Sequence, residues 1–289
     1  MNLKLPATQL ADIAQEAALN VGPYLLNAFA NPGPVSYKQD FHDIVTVHDK
    51  EAEHRIREIL FAAVPGSVIL GEEEGRVIDA AGAPAAPDNT VMWLVDPIDG
   101  TSNFASGLPM WCISIAAVQD GDVVAGVVYQ PTAELLWRAD DAGATLNGEP
   151  IQVATTMPVR ESIIVVDFPY DRVDDYAGSC AGYQKMLSAA KSMRRHGSTA
   201  LNLAQTAQGL YVGTMGMGTK PWDIGAGIAL VRAAGGKFVA VTDDRERTED
   251  RAFAHATYYA CANDEAAALF NSVIDAVTPQ QLTHNYFGW

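Results

Sequence analysis

Two aspartates three residues apart, Asp96 and Asp99, straddle a proline in Asp96-Pro-Ile-Asp-Gly-Thr101. The glycine lets the backbone turn sharply, and such a turn can aim both carboxylates and the Ile98 carbonyl at one point. An all-oxygen set of this kind suits a hard cation, magnesium or manganese, better than zinc or copper. The six histidines support this by their placement, since none forms an HxxxH pair or joins a cysteine beside the acids. Carboxylates, the carbonyl and water are enough for two octahedral ions sharing a bridge. Two such ions ~3.5–4 Å apart would clamp and polarise a phosphoryl group during in-line displacement.

Other acids follow apolar runs in the same way. Ser67-Val-Ile-Leu-Gly71 leads into Glu72-Glu-Glu74, Val91–Val95 into Asp96, and Lys220-Pro-Trp222 into Asp223 at a helix start. Carboxylates at strand ends point into the crevice where α/β proteins place ligands. Plainer readings stand beside this one. Glu72–Glu74 reads equally as a solvated turn, Asp223 as a helix N-cap, and Thr46-Val-His-Asp49 as a capping-box variant. Gly100-Thr101 and Gly197-Ser-Thr-Ala200 each precede a helical segment whose free amides can receive a phosphate oxygen. The chain has no GxxxxGK[ST] loop, no kinase signature and no GxSxG elbow with a histidine partner.

The elements that must position these residues follow from periodicity. Leu10, Ile13, Ala14, Ala17, Val21, Leu25 and Ala28 predict one amphipathic helix, ended by Asn31-Pro-Gly-Pro34. A second helix is expected from about Asp49 to the Pro65-Gly66 stop. Strands are expected at Ser67–Leu70, Val91–Val95, Ile113–Val118, Val123–Tyr129 and Leu135–Arg138, with Ala80–Pro87 as a surface loop and Asn147-Gly148 as a tight turn. Beyond Pro150 the expectations are strands at Ile163–Val166, Tyr211–Thr214, Phe238–Val241 and Thr257–Ala262. Helices are expected late in Asp171–Lys185, at Ser198–Gly209 and at Asp223–Ala234. The texture divides the chain near residue 150, into an α+β half (1–150) carrying most of the acids and an α/β half (151–289) carrying Asp223.

Composition narrows the partners. The 289 residues include 19 Lys and Arg against 35 Asp and Glu, a formal net charge of −16, so neither nucleic acid nor an anionic membrane surface is an expected partner. An anionic small substrate remains compatible, provided a cation is recruited to the site. Cys112, Cys180 and Cys261 are isolated, implying no disulfide framework and idle thiols in a reducing cytoplasm. Pro6, Asp12 and Glu16 break any secretion-signal core, and no stretch is apolar and long enough to span a membrane.

Trp93-Leu-Val-Asp-Pro-Ile-Asp-Gly-Thr-Ser-Asn-Phe104 resembles the signature of the inositol monophosphatase family. Four more segments resemble that family in the same order: Asp43-Ile-Val-Thr-Val-His-Asp49, Gly71-Glu-Glu73, Gly197-Ser-Thr-Ala200 and Lys220-Pro-Trp-Asp-Ile-Gly-Ala-Gly227. The resemblance runs from about Ala7 to Ala262. It implies a layered α-β-α-β-α fold, a cytoplasmic homodimer and a Mg²⁺-dependent, lithium-sensitive phosphomonoesterase with two or three metal positions. Carried over residue by residue, Glu72, Asp96 and the Ile98 carbonyl are ligands of the first ion, and Asp96, Asp99 and Asp223 of the second. Thr101 and Glu72 orient the attacking water, Asp49 and Thr46 support water or a third metal, and Lys38 lies near a loop of the site. Asp99, Gly100, Thr101, Ser198, Thr199, Ala200 and Asp223 contact phosphate and alcohol.

One departure bears on the substrate. Seven residues before its metal-binding aspartate the inositol enzymes usually carry a glutamate that contacts a ring hydroxyl, and this chain has Gly216 there. The resemblance therefore points to an inositol-1-phosphate-like ester with a smaller or different alcohol. Histidinol phosphate, 3′-phosphoadenosine 5′-phosphate and fructose 1,6-bisphosphate are the alternatives of the same superfamily. A non-catalytic phosphoester-binding protein is the reading from another class, and it calls for a lost ligand.

Overall fold

The computed structural model describes residues 4–37, 44–79, 90–167 and 176–276. Helix α1 (Ala7–Phe29) buries Leu10, Ala14, Ala17, Val21, Leu25 and Ala28, the stripe that three- and four-residue spacing dictates. Helix α2 (Val47–Ala63) buries Ala52, Ile56 and Leu60 beside it. It begins two residues before the expected start because its cap is Thr46, with Asp49 inside the first turn.

Strands β1 (Ser36–Tyr37) and β2 (Ile44–Val45) pair with each other in a two-stranded sheet. Eight strands form the first large sheet: β3 (Val68–Gly71), β4 (Gly75–Ile78), β5 (Met92–Asp99), β6 (Cys112–Gln119), β7 (Asp122–Gln130), β8 (Leu135–Asp140), β9 (Gly143–Leu146) and β10 (Glu149–Pro150). Their order is β10-β9-β8-β7-β6-β5-β3-β4, antiparallel throughout except for the parallel pair β3–β5. The second sheet contains β11 (Ile163–Asp167), β12 (Ser192–Arg194), β13 (Gly213–Met217), β14 (Lys237–Val241), β15 (Arg247–Thr248) and β16 (Thr257–Cys261), ordered β12-β11-β13-β16-β14-β15. Here β12, β11 and β13 are parallel and the rest antiparallel.

The remaining helices are α3 (Thr101–Ala105), α4 (Tyr176–Ala189), α5 (Thr199–Ala207), α6 (Pro221–Ala233) and α7 (Asp264–Ile274). Helices α1 and α2 cover one face of the first sheet, α5 and α6 lie between the two sheets, and α4 and α7 cover the outer face of the second. This is the expected five-layer α-β-α-β-α arrangement. Both faces of the first sheet are covered, so its central strand β6 is buried at every position, its apolar residues alternating between two cores. Ile113, Ile115 and Ala117 of β6 join the α1/α2 core, and Cys112, Ala116 and Val118 join the inner one. The inner core is continuous across the middle layer, from Leu94 and Ala116 through Ile224 and Ile228 to Met215 and Ala240. Small residues make that layer thin: a Cβ on Gly126 would lie 2.7 Å from the Ala226 carbonyl oxygen.

Some elements differ from expectation. The strand expected at Tyr211–Thr214 runs from Gly213 to Met217, because pairing with β11 and β16 overrides the weak propensity of its Gly-Thr-Met-Gly-Met sequence. Helix α6 starts two residues early, on Pro221. Helix α7 and the β3–β4 hairpin went unpredicted, although Asn263 caps α7 by accepting from the Ala266 amide at 3.0 Å. Lys38, Asp43, the Ala80–Pro87 loop and the start of the Asp171–Lys185 segment lie outside the described residues. No helix among the described residues is long and apolar enough to cross a membrane.

Candidate active site

The Asp96–Thr101 turn grows out of the end of β5. Pairing with β6 is regular up to Asp96↔Ser114 and resumes at Asp99↔Cys112, so Pro97 and Ile98 form an irregularity that re-aims the strand end. Asp96 Oδ1 accepts from the Ile98 amide at 3.0 Å, which tightens the turn. Gly100 follows at φ +97°, and a Cβ there would lie 3.0 Å from the Met110 carbonyl oxygen and 3.2 Å from that of Gly197. Both its conformation and its surroundings require glycine.

Thr101 opens α3, a helix of five residues. Its hydroxyl lies 3.0 Å from the Ile98 carbonyl oxygen and 3.2 Å from Asp49 Oδ1, donating toward them. Asp49 is fully buried on α2, and its other oxygen accepts from the Thr46 amide at 2.8 Å and the Thr46 hydroxyl at 2.6 Å. The capping box is therefore real, and it also delivers Asp49 to the turn 52 residues away.

Glu72 stands where β3 ends, its amide donating to Val95 at 3.2 Å, one residue before Asp96. The turn it begins is held by a residue that sequence reasoning missed. Glu53 of α2 is 1% exposed, and its carboxylate accepts from the Glu73 and Glu74 amides, both at 2.9 Å. A side chain at Gly71 would meet that carboxylate at 2.5 Å. Burial raises the Glu53 pKa above the usual carboxylate range, and the two amides pull it back.

Asp99 faces the first turn of α5. Its Oδ2 accepts from the Ser198 hydroxyl at 2.6 Å and the Ala200 amide at 2.7 Å, and its Oδ1 from the Thr199 amide at 3.3 Å. The groups expected to meet phosphate are thus brought to the site by gripping one of its carboxylates. Asn103 fastens the same loop from α3, donating to the carbonyls of Met110 at 2.6 Å and His196 at 2.7 Å. Asp223 sits in the first turn of α6 and accepts from the Lys220 amide at 2.8 Å. Ser114 ties this helix start to β6 by donating to the Trp222 carbonyl at 3.2 Å.

Electrostatically the acids oppose one another. The Asp96 pKa is pushed well above its ordinary value, first by burial and then by the charges of Glu72, Asp99 and Asp223. Asp223 is driven up by loss of water and then by Asp99 and Glu72. Asp99 is pushed up to about 7 by burial, while Ser198 and Ala200 pull it down and Asp167 and Glu72 raise it. Among the described residues, no three acidic, imidazole or thiol groups stand ready-gathered around one point. The donor chemistry nevertheless fits hard cations: oxygen only, several carboxylates, and a mutual repulsion that a divalent ion would reverse.

Asp167 and Asn202 were also missed. Asp167 ends β11 directly after the apolar run Ile163–Val166, the same strand-end signal that marked Asp96. Its Oδ2 accepts from Asn202 Nδ2 at 2.6 Å and from the Thr199 hydroxyl at 3.3 Å.

Residues 7–278 match the description "Inositol monophosphatase family". An inositol-1-monophosphatase of Synechocystis sp. is 37% identical over 226 residues, 78% of this chain and 76% of the relative. The Nus factor SuhB of Escherichia coli is 34% identical over 78% of this chain and 83% of the relative. Among solved structures, the inositol monophosphatase of Anabaena (Nostoc) sp. superposes with a TM-score of 0.76 at 30% identity, over 94% of this chain and 97% of that one.

Proposed function

This chain belongs to the inositol monophosphatase family and is a phosphomonoester hydrolase, and from that premise we propose that it uses Mg²⁺ to hydrolyse a small phosphorylated alcohol by in-line attack of water. The supporting observation is the group of Glu72, Asp96, Asp99 and Asp223, in which Asp96 and Asp223 have strongly raised pKa values through burial and mutual repulsion. An anionic substrate cannot approach such a site until positive charge is recruited.

Glu72, Asp96 and the Ile98 carbonyl would hold one ion, and Asp96, Asp99 and Asp223 a second. Asp49, with Thr46, would support a third position. When bound, magnesium supplies Lewis-acid stabilisation of phosphoryl charge and lowers the pKa of water. The chain's own residues do the positioning. The Thr101 hydroxyl, set between Asp49 and the Ile98 carbonyl, and the Glu72 carboxylate orient the attacking water. Asp99, Gly100 and the first turn of α5 (Ser198, Thr199 and Ala200) flank the phosphate, with Asp223 on the leaving-alcohol side. Manganese satisfies the same donors. The family likeness also supports lithium inhibition and a cytoplasmic homodimer.

Gly216 removes the side chain expected beside the alcohol, which favours an alcohol other than myo-inositol and keeps histidinol phosphate as the second candidate. Phosphate release measured by malachite green tests this across inositol 1-phosphate, histidinol phosphate, 3′-phosphoadenosine 5′-phosphate, fructose 1,6-bisphosphate and glycerol 2-phosphate. Magnesium-dependent turnover without sharp preference for inositol 1-phosphate is the expected result. No release from any ester at saturating magnesium overturns the catalytic reading and favours a phosphoester-binding protein.

A further inference from the structure

Asn103 stands in the first turn of α3, four residues after Asp99, and its backbone amide donates to the Gly100 carbonyl at 2.9 Å. It is thereby fixed to the turn that carries Asp99. Its side-chain nitrogen has two hydrogens and two acceptors, the Met110 carbonyl at 2.6 Å and the His196 carbonyl at 2.7 Å. Met110 leads into β6 of the first sheet. His196 lies 93 residues away along the chain and stands two residues before Ser198, the cap of α5.

The backbone on both sides is shaped for close approach. A Cβ on Gly100 would lie 3.2 Å from the Gly197 carbonyl oxygen and 3.4 Å from Ser198 Cβ. Gly197 has φ +77°, and a Cβ there would lie 3.3 Å from Asn103 Nδ2. Two glycines thus bring two backbone turns together, and the Asn103 amide spans the seam. His196 is also fastened from behind, with Nε2 at 2.9 Å from the Tyr211 hydroxyl.

Hydrogen bonds cross this seam in both directions. From the second half, Ser198, Thr199 and Ala200 donate to the Asp99 carboxylate. From the first, Asn103 donates to a neutral carbonyl. The bonds to Asp99 are charge-assisted, so a cation drawing on that carboxylate weakens them. An amide-to-carbonyl bond does not depend on the charge at Asp99, and it holds the α5 turn in place in either state.

We infer that Asn103 is a positioning residue: by holding the His196 carbonyl it sets the first turn of α5 against Asp99 and keeps that carboxylate oriented toward the second ion. This rests on the phosphomonoesterase reading above.

Calorimetric titration with Mg²⁺ and steady-state kinetics on glycerol 2-phosphate test it in Asn103→Ala and Asn103→Asp. Aspartate keeps the shape and has no N–H to donate. Both variants should bind Mg²⁺ several-fold more weakly and lower kcat roughly tenfold or more at saturating magnesium, since misplaced reacting groups cost rate steeply. Ser198→Ala supplies the second arm. Because both changes break one chain of contacts, the Asn103→Ala, Ser198→Ala double variant should lose clearly less Mg²⁺ affinity than the product of the single losses. Losses that multiply overturn the inference. So do Mg²⁺ affinity and kcat at the unsubstituted level with only the thermal midpoint lowered, which would leave Asn103 a structural link. An unsubstituted protein that neither binds Mg²⁺ nor releases phosphate from any ester above fails the phosphatase reading itself, and this inference fails with it.

Discussion

Two groups of carboxylates share the site and are held by opposite forces. Asp49 and Asp99 are enclosed by donors: Thr46 and Thr101 around the first, Ser198, Thr199 and Ala200 around the second. Asp96 and Asp223 face other carboxylates and are pushed far toward protonation. The enclosed pair fastens helices α2 and α5 to the Asp96–Thr101 turn, so it contributes to folding without a cation. The repelling pair, beside Glu72, accepts one backbone amide each, from Ile98 and Lys220, which does not offset burial and the neighbouring charges, and it is the part of the site that most calls for a cation. A carboxylate's neighbours, not its type, decide whether it also serves as scaffold, as Asp99 does beside its proposed place at the second ion.

The comparison breaks most visibly at Asp96. Asp96→Asn should lower kcat/KM on the order of a thousandfold or more, because a carboxylate proposed to serve both ions is lost. The same substitution should not lower the thermal midpoint in chelator, since it relieves repulsion; a clear drop would place Asp96 with the enclosed acids. Asp99→Asn should also abolish turnover, but it puts an amide nitrogen against donors of α5. A stability loss of roughly 2–3 kcal/mol is expected from chemical denaturation in chelator, and an undiminished midpoint would show that the α5 contacts are not structural.

The pH dependence carries the same distinction. Asp99 titrates near 7 in the folded protein and in the ordinary carboxylate range when unfolded. Between those values the folded state binds more protons than the unfolded one, so stability without metal falls as pH rises from about 4 to about 7. Thermal scans in chelator should show this decline, and excess magnesium should raise the midpoint more at pH 8 than at pH 5. A chelated midpoint that climbs over this range contradicts the burial-driven rise of the Asp99 pKa.

The smallest expected effect lies at the support of Glu72. Glu53→Gln leaves one of the Glu73 and Glu74 amides facing an amide nitrogen, costing about 1 kcal/mol. The magnesium concentration for half-maximal rate should rise several-fold as the turn loosens. An unchanged magnesium titration would separate Glu53 from the site.

Much of this arrangement was legible in the chain because it depends on local rules. The α1 stripe, the Thr46–Asp49 cap and the sharp Asp96–Thr101 turn are set by spacings of three and four residues and by glycine and proline. Glu72, Asp96 and Asp223 were found because each follows an apolar run or a helix-start signal. Glu53 and Asn103 were not found, since the partners that reveal them lie 20 and 93 residues away and nothing in their own neighbourhood announces them; Asp167 carries the strand-end signal, but its partners Thr199 and Asn202 lie 32–35 residues away.

The sequence alone therefore determined the kinds of groups available and the local turns that expose them: oxygen donors for a hard cation, placed at the ends of buried strands. Only the tertiary structure decided which acids meet which. The parallel pairing of β3 with β5 brings Glu72 beside Asp96, and α5, seated between the sheets, clasps Asp99 while reaching Asp167. The reason is physical: hydrogen bonds and charge repulsion act over a few ångströms of space, whatever the distance along the chain, and packing alone sets those distances.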